Sequence, residues 1–116
     1  MALAFSPNGK FLAAGQLNCQ IQIWNADTGR KYSTLVGHQD RISALTFSDD
    51  NKTLISGSWD SKIKLWNIET TKTLDTLDNH NDTISALCIT SDGKTMISGS
   101  RDCSIKIWQN KVRSSN

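Results

Sequence analysis

LAFSPNGKFLAAGQLNCQIQIWN (Leu3–Asn25), LTFSDDNKTLISGSWDSKIKLWN (Leu45–Asn67) and LCITSDGKTMISGSRDCSIKIWQ (Leu87–Gln109) are three copies of one pattern. Trp24, Trp66 and Trp108 stand forty-two residues apart, as do Gly15, Gly57 and Gly99, with no insertion or deletion between them. A period between about 20 and 50 residues marks a repeat architecture, in which each unit buries its apolar face against the next. Within each copy the apolar residues alternate or run in short β-branched groups, as in Thr53-Leu54-Ile55 and Ile63-Lys64-Leu65-Trp66. Clusters of Asn, Asp, Gly and Lys separate them. This is the grammar of strands and hairpins and not of an amphipathic helix.

Strands are expected near residues 2–6, 11–15, 20–25, 32–36, 42–47, 53–58, 62–67, 73–77, 84–89, 95–100 and 104–109. Pro7-Asn8-Gly9, Asp49-Asp50-Asn51 and Ser91-Asp92-Gly93 place residues tolerant of positive φ between the first two strands of each copy, as tight hairpins require. The expected fold is therefore all-β, a series of four-stranded antiparallel meanders.

Further motifs share the register. Gly37-His38-Gln39-Asp40 opens the second copy and Asn79-His80-Asn81-Asp82 the third, while Ser-Gly-Ser-x-Asp occurs at Ser56–Asp60 and Ser98–Asp102. With these in place the chain resembles the WD-repeat family, whose signature is a Gly-His pair, an Asp-containing turn and a Trp-Asp ending in repeats of about 40 to 45 residues. The resemblance implies a partial β-propeller of about three blades, spanning residues 1–36, 37–78 and 79–110, with a polar tail at 111–116. Departures are visible: Asn25, Asn67 and Gln109 replace the Asp after each Trp, Asn79 replaces Gly, and the first copy has Ala14 and Asn18 where the others have Ser and Asp.

The resemblance also implies a hydrogen-bonded tetrad in each well-formed blade: His38, Ser56, Asp60 and Trp66 in the second, and His80, Ser98, Asp102 and Trp108 in the third. An indole N–H only donates, a carboxylate only accepts, and hydroxyl and imidazole link the two, so such a chain satisfies every member. A catalytic Ser-His-Asp triad is the competing reading of these residues. Repetition argues against it, because a catalytic constellation is needed once and its members have unique roles. Removal of His80 should lower thermal stability, and the first copy should be the less rigid blade.

If recurring positions are scaffold, positions that vary at one place in the repeat are candidates for recognition. Leu17, Trp59 and Arg101 precede the turn Asp or its Asn equivalent, Arg41 and Thr83 precede the first strand of their blades, and Gln39 and Asn81 lie two residues earlier. In the family such places resemble the exposed rim of one propeller face. Trp and Arg are the residue types most enriched at binding hot spots, which puts Trp59, Arg41 and Arg101 first. The alternative for Trp59 is packing on a neighbouring turn.

Composition bounds the function class. Thirteen Lys and Arg against eleven Asp and Glu give a net charge of +2 without a block of like charges. With a pI of about 8.5, this argues against a nucleic-acid partner, which more often meets a basic stripe. Lys52, Lys62, Lys64, Lys94 and Lys106 read as solvated strand edges and not as a phosphate-binding surface. No membrane span is expected, since no run of about 18 apolar residues occurs. Cys19, Cys88 and Cys103 form an odd set without a CxxC pair, which disfavours a disulfide framework or a metal site and suits a reducing, cytoplasmic compartment. No cofactor is expected, as no Gly-rich phosphate loop is present.

The chain is thus read as a non-catalytic protein-interaction scaffold, a propeller segment that presents one face to partner proteins. Propellers close with four to eight blades, so self-association or additional blades are needed to complete a ring. The chain is expected to be a fragment of a larger propeller, a truncated gene product or a self-associating protomer; a regulatory module of a larger signalling enzyme is a further alternative.

Overall fold

The computed structural model describes residues 2–78, 80–90 and 94–109, with Gln109 described by its backbone alone. Asn79, the expected turn at Ser91-Asp92-Gly93 and the tail at 111–116 lie outside the described residues. Eleven strands follow one another: β1 (Leu3–Phe5), β2 (Phe11–Gly15), β3 (Ile21–Asn25), β4 (Lys31–Leu35), β5 (Ile42–Phe47), β6 (Thr53–Ser58), β7 (Ile63–Asn67), β8 (Thr73–Leu77), β9 (Ile84–Ile89), β10 (Thr95–Ser100) and β11 (Ile105–Gln109). Each end falls within one residue of its expected position. Sequential neighbours pair antiparallel into sheets β1-β2-β3-β4 and β5-β6-β7-β8, and β9-β10-β11 form a sheet of three strands among the described residues.

The register repeats with the sequence. Leu12 faces Trp24, Leu54 faces Trp66 and Met96 faces Trp108, while Ala13 faces Ile23, Ile55 faces Leu65 and Ile97 faces Ile107. Because side chains alternate along a strand, these two sets lie on opposite faces of each sheet. Side-chain carbonyl and carboxylate groups close the hairpins. Asp50 Oδ1 accepts from the amides of Lys52 (2.8 Å) and Thr53 (2.9 Å), and Asn25 Oδ1 accepts from Asp27 (2.9 Å) and Thr28 (3.1 Å). Asn67 does the same with Glu69 and Thr70, so the Asn that replaces the family's Asp after Trp keeps the acceptor that the turn uses.

The sheets stack through their first strands, β1 beside β5 and β5 beside β9, which places these innermost and β4 and β8 at the outer edge. Ala13, Ile21, Ile23 and Leu35 of the first sheet pack on Ile42, Phe47, Leu54, Trp66 and Ile68 of the second. The second contact repeats the first: Ile55, Ile63 and Leu65 meet Ile84, Met96 and the partly buried Trp108. At about 1.5–3 kcal/mol for each fully buried large aliphatic side chain, these two layers are the main source of stability. Both contacts depend on a glycine. A Cβ on Gly15 would lie 2.7 Å from Ile42 Cβ, and one on Gly57 would lie 2.9 Å from Ile84 Cβ, so each isoleucine seats in a notch that a side chain would fill. The result is an unclosed, all-β partial propeller of about three blades.

Candidate functional site

The connections from β4 to β5 and from β8 to β9 share one rim of the arc with the β2–β3, β6–β7 and β10–β11 turns. Backbone bonds set this arrangement: the Trp59 amide donates to the Arg41 carbonyl and the Arg101 amide to the Thr83 carbonyl, each at 2.9 Å. Beneath the rim lie the polar groups that recur. In the second blade Trp66 Nε1 donates to Ser56 Oγ (2.8 Å), Ser56 Oγ lies 2.6 Å from His38 Nε2, and His38 Nδ1 lies 2.9 Å from Asp60 Oδ2. The tautomer that satisfies all four has its proton on Nδ1, so that His38 donates to the carboxylate and accepts from the serine hydroxyl. Asp60 accepts in addition from the amides of Gln39 (3.0 Å) and Lys62 (2.9 Å).

The third blade repeats this with one addition. Trp108 donates to Ser98 (3.0 Å), Ser98 lies 2.8 Å from His80 Nε2, and His80 Nδ1 lies 3.2 Å from Asp102, which accepts from the Asn81 and Ser104 amides. The Ser104 hydroxyl also reaches Asp102 and lies 3.2 Å from His80 Nδ1. Blade two has Lys62 at that place and makes no such contact with its side chain. In blade one Ala14 and Asn18 leave Trp24 without this chain, and Asn18 keeps only the turn role, accepting from the Gln20 amide at 3.1 Å.

Burial works against the charge on Asp60, but bonds from His38 and from the Gln39 and Lys62 amides outweigh it and hold the pKa down from 3.8 to about 2. Asp102 is held well below the ordinary carboxylate range, chiefly by the Ser104 hydroxyl and then by the Asn81 amide. His38, Ser56, His80 and Ser98 are buried. Each serine hydroxyl is therefore shielded and already engaged on both sides, which leaves it no free approach to a substrate. Among the described residues no buried side-chain polar atom lacks a partner, and no group of three or more His, Cys, Asp or Glu is placed to hold a metal ion.

The rim itself is open. Leu17 is almost wholly exposed and Trp59 about half exposed. The Arg41 guanidinium stacks 4.9 Å from the centre of the Trp59 ring, in the geometry of a cation–π contact. Leu17, Arg41 and Trp59 line one cleft of about 310 Å³ between the first two blades, floored by Gly15, Ile42 and Ser43. Gln39 and Asn81 donate their backbone amides to Asp60 and Asp102 and do not line the cleft. Thr83 and Arg101 occupy the corresponding places on blade three and do not line the cleft.

Gln16, which did not stand out by its place in the repeat, lines the same cleft, and the rim also depends on Ser58 and Ser100. The last two donate to the Asp40 and Asp82 carbonyls at 3.1 Å and so fasten the rim turns to the blade. The Ser-Gly-Ser spacing carried that signal, since its second serine recurs as regularly as its first. Cys19, Cys88 and Cys103 are free thiols. No helix of the described residues is long and apolar enough to cross a membrane.

Repeated meanders stacked through notched glycines, each with a Trp-Ser-His-Asp chain in the complete copies, define the class of WD-type propeller blades. The family description "WD domain, G-beta repeat" matches residues 1–25, 29–67 and 71–109, and the chain belongs to that family. No curated protein matches the chain.

Proposed function

We propose that this chain is a non-catalytic protein-interaction module whose binding surface is the rim cleft built by Leu17, Arg41 and Trp59. The observation that carries this reading is the Arg41–Trp59 stack beside the exposed Leu17. It sets a tryptophan and an arginine, two of the residue types most enriched among binding hot spots, at one concave place with an exposed apolar side chain beside them. Arg101 and Thr83 extend the same rim over the third blade, and Gln39 and Asn81 offer polar side chains at its edge. The buried tetrads hold this rim in place and do no chemistry of their own. Unpaired thiols suit a reducing, cytoplasmic setting. Bonds already made by the backbone under Trp59 mean that its side chain can be removed without undoing the turn.

The test is quantitative affinity capture from cell extract on the immobilised chain and on its Trp59→Ala variant, with a melting curve for each. The variant should lose the specifically captured proteins, by roughly thirtyfold in apparent affinity for a hot-spot loss of about 2 kcal/mol, while its melting temperature stays within about 2 °C. Undiminished capture, or a clear fall in melting temperature, would show that Trp59 serves packing and not recognition.

A further inference from the structure

Among the described residues two faces of the arc are uncovered, and together they are the two halves of a contact the chain already makes twice. On the outer side of blade three, Ile105 is 74% exposed and Ile107 64%, whereas their counterparts in blade two, Ile63 and Leu65, are 1% and 2% exposed because blade three covers them. Ile97 completes the patch, next to a shallow pocket of about 220 Å³ lined by Leu87, Gly99 and Ile105. At the other end, Phe5 of blade one is 61% exposed, whereas its counterpart Phe47 is 4% exposed under blade one. Leu3, Leu12 and Trp24 share the Phe5 face by the register of β1, β2 and β3.

Within the chain, a face carrying Phe47, Leu54 and Trp66 packs on one carrying Ala13, Ile21 and Ile23. Phe5, Leu12 and Trp24 stand forty-two residues before the first set, and Ile97, Ile105 and Ile107 stand eighty-four after the second. The two open faces therefore carry matching side chains in a register the fold has already used. Aliphatic and aromatic patches of this kind are uncommon on soluble surfaces unless another surface covers them.

We infer that the 116-residue chain pairs head to tail with a second copy, the Ile97–Ile105–Ile107 face of each covering the Phe5–Leu12–Trp24 face of the other. The contact is heterologous, so it either closes or continues indefinitely. Two copies bring six blades, within the four to eight that close a propeller, and the pair forms a ring with two identical junctions. The inference rests on the stacking of the blades and is independent of the rim cleft.

Sedimentation of the whole chain across a range of concentrations tests it. The expected species has twice the chain mass. Phe5→Glu and Ile107→Glu should each weaken pairing by roughly tenfold or more, since each places a charge against an apolar face. Their circular dichroism should match the parent, as both side chains are exposed; should either variant misfold, Leu3→Lys or Ile105→Lys takes its place on the same face. An equimolar mixture of the two variants decides the arrangement. One intact junction then exists between the unaltered Ile97–Ile105–Ile107 face of the Phe5→Glu variant and the unaltered Phe5–Leu12–Trp24 face of the Ile107→Glu variant, so dimers should reappear. A wild-type monomer at every concentration, loss of pairing in only one of the variants, no recovery on mixing, or a ladder of oligomers growing with concentration would each overturn the proposal.

Discussion

Ser56 sits at the centre of the second blade's polar chain, accepting a hydrogen bond from the Trp66 indole N–H and donating one to His38 Nε2. Its burial makes that position exacting, because a polar group left unsatisfied costs about 1–3 kcal/mol. The Asp60 end of the same chain makes stability depend on pH. Its pKa is depressed from 3.8 to about 2 in the folded protein, so its contribution is complete above the unfolded value of about 4 and is lost as pH falls toward 2. Thermal unfolding followed at pH 5, 4, 3 and 2 should show a steeper loss for the parent than for Asp60→Asn; parallel curves would mean that the carboxylate contributes nothing. Gly57 marks a second residue-level constraint. Ile84 occupies the space its Cβ would need, whereas a Cβ on Gly99 meets only Ser85 Oγ at 4.0 Å. Gly57→Ala should therefore cost about 1–3 kcal/mol in urea unfolding and Gly99→Ala should not lower the stability of the unpaired chain. Equal losses would remove the notch from the account.

At the scale of single elements, the β3–β4 and β7–β8 turns have one geometry and different residues. Gly29 donates to the Asn25 carbonyl with φ of +74°, and Thr71 donates to the Asn67 carbonyl, also at 2.8 Å, with φ of +62°. A β-branched residue is strained in that left-handed conformation and glycine is not. Thr71→Gly should thus stabilise the chain by about 1 kcal/mol in urea denaturation, and a destabilised variant would contradict the turn assignment. Much of this level could be read in advance. Alternation in Ile63-Lys64-Leu65-Trp66 and its two counterparts placed the strands within one residue, because successive side chains of a strand point to opposite faces of the sheet. Thr71 was not legible, since nothing local distinguishes it from an ordinary turn threonine; only its alignment with Gly29 hints at the strain. Ser104 was equally silent, because its contacts to Asp102 and His80 depend on how the turn folds back. For the rim, Leu17, Arg41 and Trp59 each stood out by varying within the repeat. Their meeting in one cleft arises from the stacking of two blades, which one blade's pattern cannot express.

Across the whole molecule, stability is distributed as nearest-neighbour contacts between sheets. The middle blade is covered on both sides, with Leu54, Ile55, Ile63, Leu65 and Trp66 all buried, whereas blades one and three each have one open face. At concentrations too low for two copies to pair, amides of β6 and β7 should accordingly exchange with deuterium more slowly than those of β2 and β10; the reverse order would place the core elsewhere. This distribution separates two kinds of position. Side chains that return every forty-two residues hold the sheets, and the rim side chains that differ between copies are free to meet a partner. Urea unfolding of His80→Ala beside Trp59→Ala tests that division most directly. The account predicts a loss of about 1–3 kcal/mol for the histidine variant and less than about 0.5 kcal/mol for the tryptophan variant. An unaltered His80→Ala, or a Trp59→Ala that unfolds more readily than it, would contradict the division.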